Sequence, residues 1–169
     1  LNRGLALATG DFVAILNSDD IYTDNRLQRL LDEQRATGAH CLFSRVQLIN
    51  DDGDQLHDPA LWWNQWYEDA VGRYLNSGDL YTAFLQRNFL VTTSNFFLTR
   101  AAVQTVGGFC SLRYLHDYDY IFRLLLAFPD QVRFLREEWL LFYRIHGSNT
   151  ISEAAIIGRE QDKGVIRKY

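Results

Sequence analysis

Several residue types and sequence patterns are scarce in this chain of 169 residues, and each absence excludes a class of protein. With only two cysteines the chain cannot build a disulfide framework, so a reducing compartment is the simpler setting. The net charge is −4 and no stripe of lysine and arginine is visible, which excludes a typical nucleic-acid-binding surface. No apolar run approaches the roughly 20 residues that span a bilayer, so no transmembrane helix is predicted.

The chain begins with Leu1, contains no methionine and shows no signal peptide. We therefore expect a piece of a longer polypeptide, with any targeting segment lost along with the rest. Hydrophobic residues make up 47% of the sequence and aromatic residues 14%, which predicts a folded chain with a real core. Because no internal repeat or linker interrupts the sequence, we predict a single domain.

The first fifty residues predict alternating helices and strands. Apolar residues at helical spacing, short apolar runs and capping residues mark the elements. They are a helix over residues 1–9, a strand over 12–16, a helix capped by Asp24 and ending near Gly38, and a strand over 40–49. Strand, helix and strand in this order favour a parallel α/β sheet, and the continuous apolar run over 12–16 predicts a strand covered on both faces.

The remainder of the chain opens with an aromatic segment over residues 59–89, whose rings lie mostly at helical spacing. Further apolar patterns predict the elements that follow it. They are a strand over 94–99, a helix over 100–106, a buried helix over 117–128 and two strands over 132–135 and 139–145.

Two adjacent carboxylates, Asp19 and Asp20, follow the first predicted strand. In open parallel sheets ligands bind beyond the carboxyl ends of the strands, and a turn over residues 18–20 would let both carboxylates converge. Oxygen ligands suit Mg²⁺ or Mn²⁺, which commonly bridge carboxylates to substrate phosphates. An aspartate that simply caps a turn explains the same pattern, so the residues alone leave both interpretations open.

A second acidic pair, Asp117 and Asp119, lies at the start of the predicted helix over 117–128. Two positions on a helix are about 200° apart, so the two carboxylates cannot face one ligand. If one is catalytic, the other is structural. A carboxylate at the mouth of a cleft could accept a proton from an attacking hydroxyl, but Asp117 is also well placed to cap the helix.

A third polar group, Arg144 and His146, ends the last predicted strand, where both side chains point to the same face. The pair suits contact with a phosphate, or a neutral imidazole on a metal ion. An exposed surface pair is the alternative.

Five segments in this order resemble the inverting glycosyltransferases of GT-A family 2. They are residues 2–13, the acidic motif at 16–22, the acceptor-side segment at 94–100 with 106–109, the His-Asp-Tyr-Asp-Tyr segment at 116–120, and the Tyr-Arg-Ile-His-Gly-Ser-Asn segment at 143–149. The resemblance covers most of the chain. It implies a GT-A, Rossmann-like α/β fold with a mixed, mainly parallel sheet flanked by helices and incomplete at the N-terminus.

The resemblance also implies a role for each matching residue. Asp117 would be the general base that deprotonates an acceptor hydroxyl. Asn17 and Asp19 would contact the ribose of the donor or its metal ion, and Arg144 would help to hold the diphosphate or the metal. Mn²⁺ or Mg²⁺ would be bound by Asp20, Asp19 and His146.

The sequence departs from the family pattern in three places. Asn17 stands where many relatives have the first aspartate, and His116 replaces the usual glutamate beside the base. A protonated His116 would lower the pKa of Asp117, whereas a neutral one could orient it. No segment matches the strand-turn-helix-strand unit that holds the nucleoside, so we expect one N-terminally truncated domain, with residues 1–57 belonging to the nucleotide-sugar half and 58–169 to the acceptor half and C-terminal elements.

The predicted function is therefore metal-assisted transfer of a sugar, with inversion, from a nucleotide-diphosphate donor to an acceptor hydroxyl. The expected donor is a UDP-sugar, and the expected acceptor is a glycan or a lipid-linked glycan in polysaccharide or glycolipid synthesis. This setting implies a cytoplasmic protein, with peripheral association at the inner face of the membrane. Open sheet edges would favour homo-oligomers.

Two other classes remain open. A carbohydrate-binding or degenerate, non-catalytic transferase fragment could stack sugars on Trp62, Trp63 and Trp66, although tryptophans at this spacing more often belong to a core. A nucleotide-sugar hydrolase or phosphotransferase would share the metal site and would need no acceptor base.

Overall fold

The computed structural model describes residues 1–112, 115–145, 164–165 and 167–169, and it contains both helices and strands. The elements are α1 (Asn2–Leu7), β1 (Phe12–Ala14), β2 (Ile21–Tyr22), α2 (Arg26–Thr37), β3 (Cys41–Ile49), α3 (Trp62–Ser77), α4 (Leu80–Gln86), a 3-10 turn (Thr93–Asn95), β4 (Phe97–Thr99), α5 (Arg100–Val106), α6 (His116–Ala127) and β5 (Val132–Arg144). The sequence predicted most of these elements, with bounds that differ by a few residues.

The described strands form one mixed sheet in the order β1-β4-β3-β5-β2. Only β3 and β5 pair in parallel, whereas the other three neighbouring pairs are antiparallel. β1 and β3 run in the same direction, as strand, helix and strand in series predict, but β4 lies between them. The mixed α/β class is confirmed, and the expectation of a mainly parallel pairing is corrected by the insertion of β4.

β1 differs from its prediction as a strand covered on both faces. It lies at one end of the described sheet, and of its three residues only Val13 is buried. Leu16, which the apolar run placed in the strand, follows its end and is 51% exposed. An apolar run can therefore continue beyond a strand into a loop, where periodicity gives no warning.

Helix ends follow the expected residues in part. α2 ends at Gly38, whose φ of 70° lies in the left-handed region that favours glycine. Its predicted cap, Asp24, is wrong, because Asn25 occupies the N-cap position and makes no side-chain capping bond. Within the described residues no helix combines the length and the apolar character that crossing a membrane requires.

The main core lies between one face of the sheet and the aromatic helices α3, α4 and α6. Phe43 of β3 stacks on Phe134 of β5 with ring centroids 4.9 Å apart, and Phe84 of α4 stacks on Phe89 at 4.3 Å. Burying one phenylalanine contributes roughly 1.5–3 kcal/mol, so these rings are a main source of stability. A smaller cluster packs α2 against the opposite face through residues such as Leu30 and Phe97.

β5 is a single long strand, although the sequence predicted two. It pairs with β3 over Val132–Leu135 and again over Trp139–Arg144, with an irregularity opposite Ser44–Val46. The bulge preserves the pairing, so one strand covers both predicted segments. Because β2 pairs with β5 as well, the acidic loop before β2 lies close to the carboxyl ends of β3 and β5.

Candidate active site

The loop between β1 and β2 carries the acidic motif and is tied to the 3-10 turn. The main-chain N–H of Asn17 donates to Ser94 Oγ at 2.9 Å. Its side-chain Nδ2 donates to Thr92 Oγ1 at 2.9 Å, while its Oδ1 accepts from Thr93 Oγ1 at 3.1 Å. The structure thus uses the amide of Asn17 as donor and acceptor at once, which an aspartate could not do.

Asp20 is a buried carboxylate at the end of this loop, with 6% of its surface exposed. Its Oδ2 accepts hydrogen bonds from Ser94 Oγ at 2.5 Å and from Thr92 Oγ1 at 3.1 Å. Its Oδ1 is buried and has no hydrogen-bond partner among the described residues. An unsatisfied carboxylate oxygen is costly, so this atom is the natural place for a cation.

Burial raises the pKa of Asp20 above its ordinary value, and the charge of Asp19 adds to the increase. The hydrogen bonds from Ser94 and Thr92 lower the pKa without outweighing burial. The main-chain N–H of Arg144 also lowers the pKa of Asp20. It makes no hydrogen bond of ordinary geometry to Oδ1.

Arg144, at the end of β5, connects the acidic loop to the turn after β3. Its guanidinium donates to the main-chain oxygens of Asp19 at 3.1 Å, Asn50 at 2.6 Å and Asp51 at 2.7 Å. The sequence placed Arg144 at the diphosphate, and the structure places it beside the acidic loop. The predicted metal ligand His146 lies outside the described residues.

Asp117 occupies the second position of α6 and is buried. The prediction that it caps the helix is wrong, because Leu115 is the N-cap, with a φ of 61°. Asp117 Oδ1 accepts from the N–H of Tyr118 at 2.8 Å, and Oδ2 accepts from Asn88 Nδ2 at 3.4 Å.

The environment of Asp117 makes its carboxylate a stronger proton acceptor. Burial raises the pKa of Asp117, and a positive charge on His116 lowers it, as the sequence predicted for a protonated histidine. Burial outweighs the histidine and the hydrogen bonds.

Asp119 faces different partners, as the helical rotation predicts. It forms ion pairs with Arg123 at 2.9 Å and Lys168 at 2.6 Å, and it accepts from the Tyr169 hydroxyl at 2.8 Å. Burial alone would raise the pKa of Asp119, but the contacts with Lys168, Tyr169 and Arg123 outweigh it and lower the pKa. The structure thus gives Asp119 the role of anchoring the C-terminal residues to α6.

Tyr143 lies on β5, and carboxylates of both acidic groups affect its pKa. Burial raises its pKa, and the charges of three carboxylates raise that pKa further, those of Asp20, Asp19 and Asp117. All three carboxylates therefore lie within electrostatic range of the Tyr143 phenol. The sequence placed the tyrosine in a matching motif but assigned it no role.

The side chains near Asp19 and Asp20 could supply only part of the ligand set of a divalent cation. Within the described part of the chain no group of three or more histidine, cysteine, aspartate or glutamate side chains could hold a metal ion. Mg²⁺ and similar ions are often bound by one or two carboxylates together with substrate phosphates. The unpartnered Oδ1 of Asp20, with Asp19 next to it, fits a cation that binds together with a diphosphate.

The sequence missed the buried polar run Thr92 to Asn95. Ser94 was predicted to begin a strand, but it belongs to the 3-10 turn and the strand begins at Phe97. Asn95 Nδ2 donates to the main-chain oxygens of Ser44 at 2.9 Å and Leu90 at 3.1 Å. Four polar residues between apolar neighbours were the available signal for a buried network.

The tryptophans divide between core and surface. Trp63 is 4% exposed and stacks on Tyr67 at 5.0 Å, which confirms the core interpretation for this residue. Trp62 is 59% exposed, and Trp66 is half-buried.

The sequence profile of glycosyl transferase family 2 matches residues 1–105. The chain belongs to this family. An uncharacterized glycosyltransferase of Nostoc sp. (strain PCC 7120) is 24% identical over 161 residues, which cover 95% of this chain and 48% of that protein. The succinoglycan biosynthesis protein ExoO of Rhizobium meliloti (strain 1021) is 33% identical over 55 residues, which cover 32% of this chain and 16% of that protein.

The fold is also similar to that of S. aureus TarS. The crystal structure of TarS residues 1–349 in complex with UDP-GlcNAc matches with a TM-score of 0.61 and 14% identity, covering 90% of this chain and 40% of that chain. The complex of the same TarS segment with UDP matches with a TM-score of 0.54. The likeness confirms the predicted GT-A fold class, and the chain spans about half the length of the Nostoc relative.

Proposed function

We propose that this chain is the catalytic part of an inverting glycosyltransferase of the hexosyltransferase type, which moves a sugar from a UDP-sugar to an acceptor hydroxyl. The observation that carries the proposal is the buried Asp20, which follows Asp19 directly and whose Oδ1 has no hydrogen-bond partner among the described residues. Family membership and the UDP complexes of TarS support a nucleotide-sugar donor.

Asp20 and Asp19 would hold Mn²⁺ or Mg²⁺ against the diphosphate of the donor, with His146 as a further proposed ligand. Such an ion, when bound, neutralises the charge that grows on the leaving diphosphate. Arg144 would orient the acidic loop through its hydrogen bond to the main-chain oxygen of Asp19. Asn17 would contribute by holding the loop, because both ends of its amide bind Thr92 and Thr93.

Asp117 would act as the general base. Its carboxylate takes the proton from the acceptor hydroxyl while the hydroxyl oxygen forms a bond to the anomeric carbon. The bond from that carbon to the diphosphate oxygen breaks, and UDP leaves with the electron pair. A base with a raised pKa accepts the proton more readily, and the donation from Asn88 Nδ2 holds the carboxylate in place.

The setting that we propose is polysaccharide or lipid-linked glycan synthesis at the cytoplasmic face of the membrane. The succinoglycan protein among the relatives supports this setting. The carbohydrate-binding alternative loses support because Trp63, one of its three stacking residues, belongs to the core.

Calorimetric titration of UDP into the chain, with and without Mn²⁺, tests the proposal. Wild type should bind UDP at least tenfold more tightly with Mn²⁺, and Asp20→Asn should abolish the difference. Asp32→Asn is the matched control, because Asp32 is a solvent-exposed carboxylate of α2. An affinity for UDP that changes neither with Mn²⁺ nor with the Asp20 substitution would refute the proposed donor site.

A further inference from the structure

Arg26, the first residue of α2, is the largest of the fully buried side chains and has no exposed surface. Its hydrogen bonds within the described residues all go to uncharged oxygens, and its Nε has no partner. Burial lowers the pKa of Arg26 to about 10, so the guanidinium remains charged at neutral pH. Burying a charge without an ion-pair partner is costly, which calls for a compensating role.

The guanidinium binds the turn that holds the acidic loop. Its Nη2 donates to the main-chain oxygens of Asn95 at 2.9 Å and Ser94 at 3.4 Å, and its Nη1 donates to Ser44 Oγ at 2.8 Å. Ser94 in turn donates from its Oγ to Asp20 Oδ2 at 2.5 Å. One residue therefore separates the buried cation from the buried carboxylate.

A second route from Arg26 to the same loop passes through Tyr22. The guanidinium carbon lies 4.6 Å from the centre of the Tyr22 ring, a cation–π contact in a desolvated site. The Tyr22 hydroxyl lies against the main-chain oxygen of Ile15 and donates to that of Ser94 at 3.0 Å. Ile15 begins the acidic loop and Tyr22 lies in β2 just after it, so this contact closes the loop over the turn.

We propose that Arg26 is a positioning residue for Asp20. Its charge fixes the Ser94–Asn95 turn and the Tyr22 ring together, so that the side-chain donors Ser94 and Thr92 bind Oδ2 and Oδ1 stays available to a cation. The claim that a cation binds at Asp20 rests on the proposed function. The claim that Arg26 orders the acidic loop does not.

Amide hydrogen exchange and Mn²⁺ binding, both followed by NMR, test this inference on the full chain. The reporters of the loop are three amides with bonds inside the network, those of Asn17, Asp20 and Ser94. Arg26→Met should speed their exchange at least tenfold more than that of the β3–β5 pairing. It should also weaken the Mn²⁺-induced broadening near Asp20 at least fivefold.

Two further variants separate positioning from general stability. Arg26→Lys keeps the charge but cannot donate to the serine and both carbonyl groups together, so we expect partial rescue of exchange and Mn²⁺ affinity. Arg123→Met is the matched control, because Arg123 is a partly buried arginine that pairs with Asp119 and the main-chain oxygen of Val106. It should lower the melting temperature and leave both loop readouts unchanged.

The outcomes are distinct. Unchanged exchange of the three amides in folded Arg26→Met would overturn the inference. So would faster exchange with unchanged Mn²⁺ affinity, because Arg26 would then stabilise the turn without positioning Asp20. If wild type shows no Mn²⁺ broadening, the proposed metal-assisted function fails, the positioning of Asp20 for a cation falls with it, and the exchange rates still decide whether Arg26 orders the acidic loop. If Arg26→Met does not fold, amide exchange and Mn²⁺ affinity are compared between Arg26→Lys and wild type instead.

Discussion

Ser94 Oγ lies 2.5 Å from Asp20 Oδ2, although 74 positions separate the two residues in the sequence. The same oxygen accepts the main-chain N–H of Asn17 at 2.9 Å. A single hydroxyl thus donates to the carboxylate at one end of the acidic motif and accepts from the backbone at its other end. The geometry of the motif depends on a residue far outside it.

Replacing Ser94 with alanine should therefore damage both stability and the donor site. Asp20 Oδ2 loses one donor but keeps Thr92 Oγ1, whereas the partly buried main-chain N–H of Asn17 loses its acceptor. A buried group left unsatisfied costs about 1–3 kcal/mol. We expect a lower free energy of unfolding in urea and weaker Mn²⁺-dependent UDP binding. Ser77→Ala is the control, because this exposed hydroxyl donates to the main-chain oxygen of Tyr74 outside the site. Wild-type values in Ser94→Ala would contradict the assigned role.

Asn17→Asp restores the residue that many relatives carry but should destabilise this chain. The Nδ2 donations to Thr92 Oγ1 and Asp20 Oδ2 disappear, and a second carboxylate faces Asp20. The added repulsion raises the carboxylate pKa values in the folded state, so stability falls as pH rises through the raised values. The loss in free energy of unfolding should be about 1–3 kcal/mol near pH 7 and smaller near pH 5.

Urea unfolding at the two pH values measures this dependence. Asn25→Asp serves as the control, because Asn25 is exposed and uses only an oxygen, which accepts from Thr23. An equal loss at both pH values would show that charge repulsion is not the cause.

Asp119→Asn should show the opposite pH dependence. The contacts with Lys168, Tyr169 and Arg123 lower the pKa of Asp119, so its stabilisation is present above the unfolded pKa and is lost as pH falls through the folded one. We expect a loss of about 1 kcal/mol near neutral pH, because Lys168 is largely exposed, and little loss in strong acid. Urea titrations of wild type and variant across pH 2–7 measure this dependence. A difference in free energy of unfolding that does not change with pH would contradict the role of the Asp119 ion pairs.

Asp117→Asn should separate chemistry from donor binding. Loss of a general base typically costs about 10²–10⁴-fold in rate, while UDP binding should stay within twofold of wild type. Asp130→Asn provides an exposed carboxylate as control. Rates of sugar transfer and of donor hydrolysis should be measured side by side. Donor hydrolysis that stays intact in Asp117→Asn, with no sugar transfer in wild type, would favour the hydrolase or phosphotransferase class.

The sequence predicts local features of this fold well. Helical spacing of apolar residues located α3, α4 and α6, and Gly38 marked the end of α2, because these signals depend on neighbours along the chain. The carboxylates at 19, 20 and 117 were chosen from their positions in motifs, and their roles stay predictions; in the structure the charges of all three raise the pKa of Tyr143.

Long-range pairing could not be predicted in the same way. The sequence patterns within β1 and β3 do not indicate that β4 inserts between them. Arg26 opens a helix at a position that usually faces solvent, and its burial depends on Ser44 and Asn95, far away along the chain. The division of the domain at residue 57 and the role of His146 stay predictions.

The distance along the chain between Asp20 and Ser94 has a consequence for biosynthesis. A ribosome that has just added Asp20 must add 74 more residues before the hydroxyl partner exists. Domains emerge N-terminal part first, so the nascent acidic loop stays solvated and cannot reach its folded conformation during that interval. Contacts of such sequence separation also form late because closing long loops is entropically costly. The acidic loop is therefore expected to be among the last parts of the fold to reach its folded conformation.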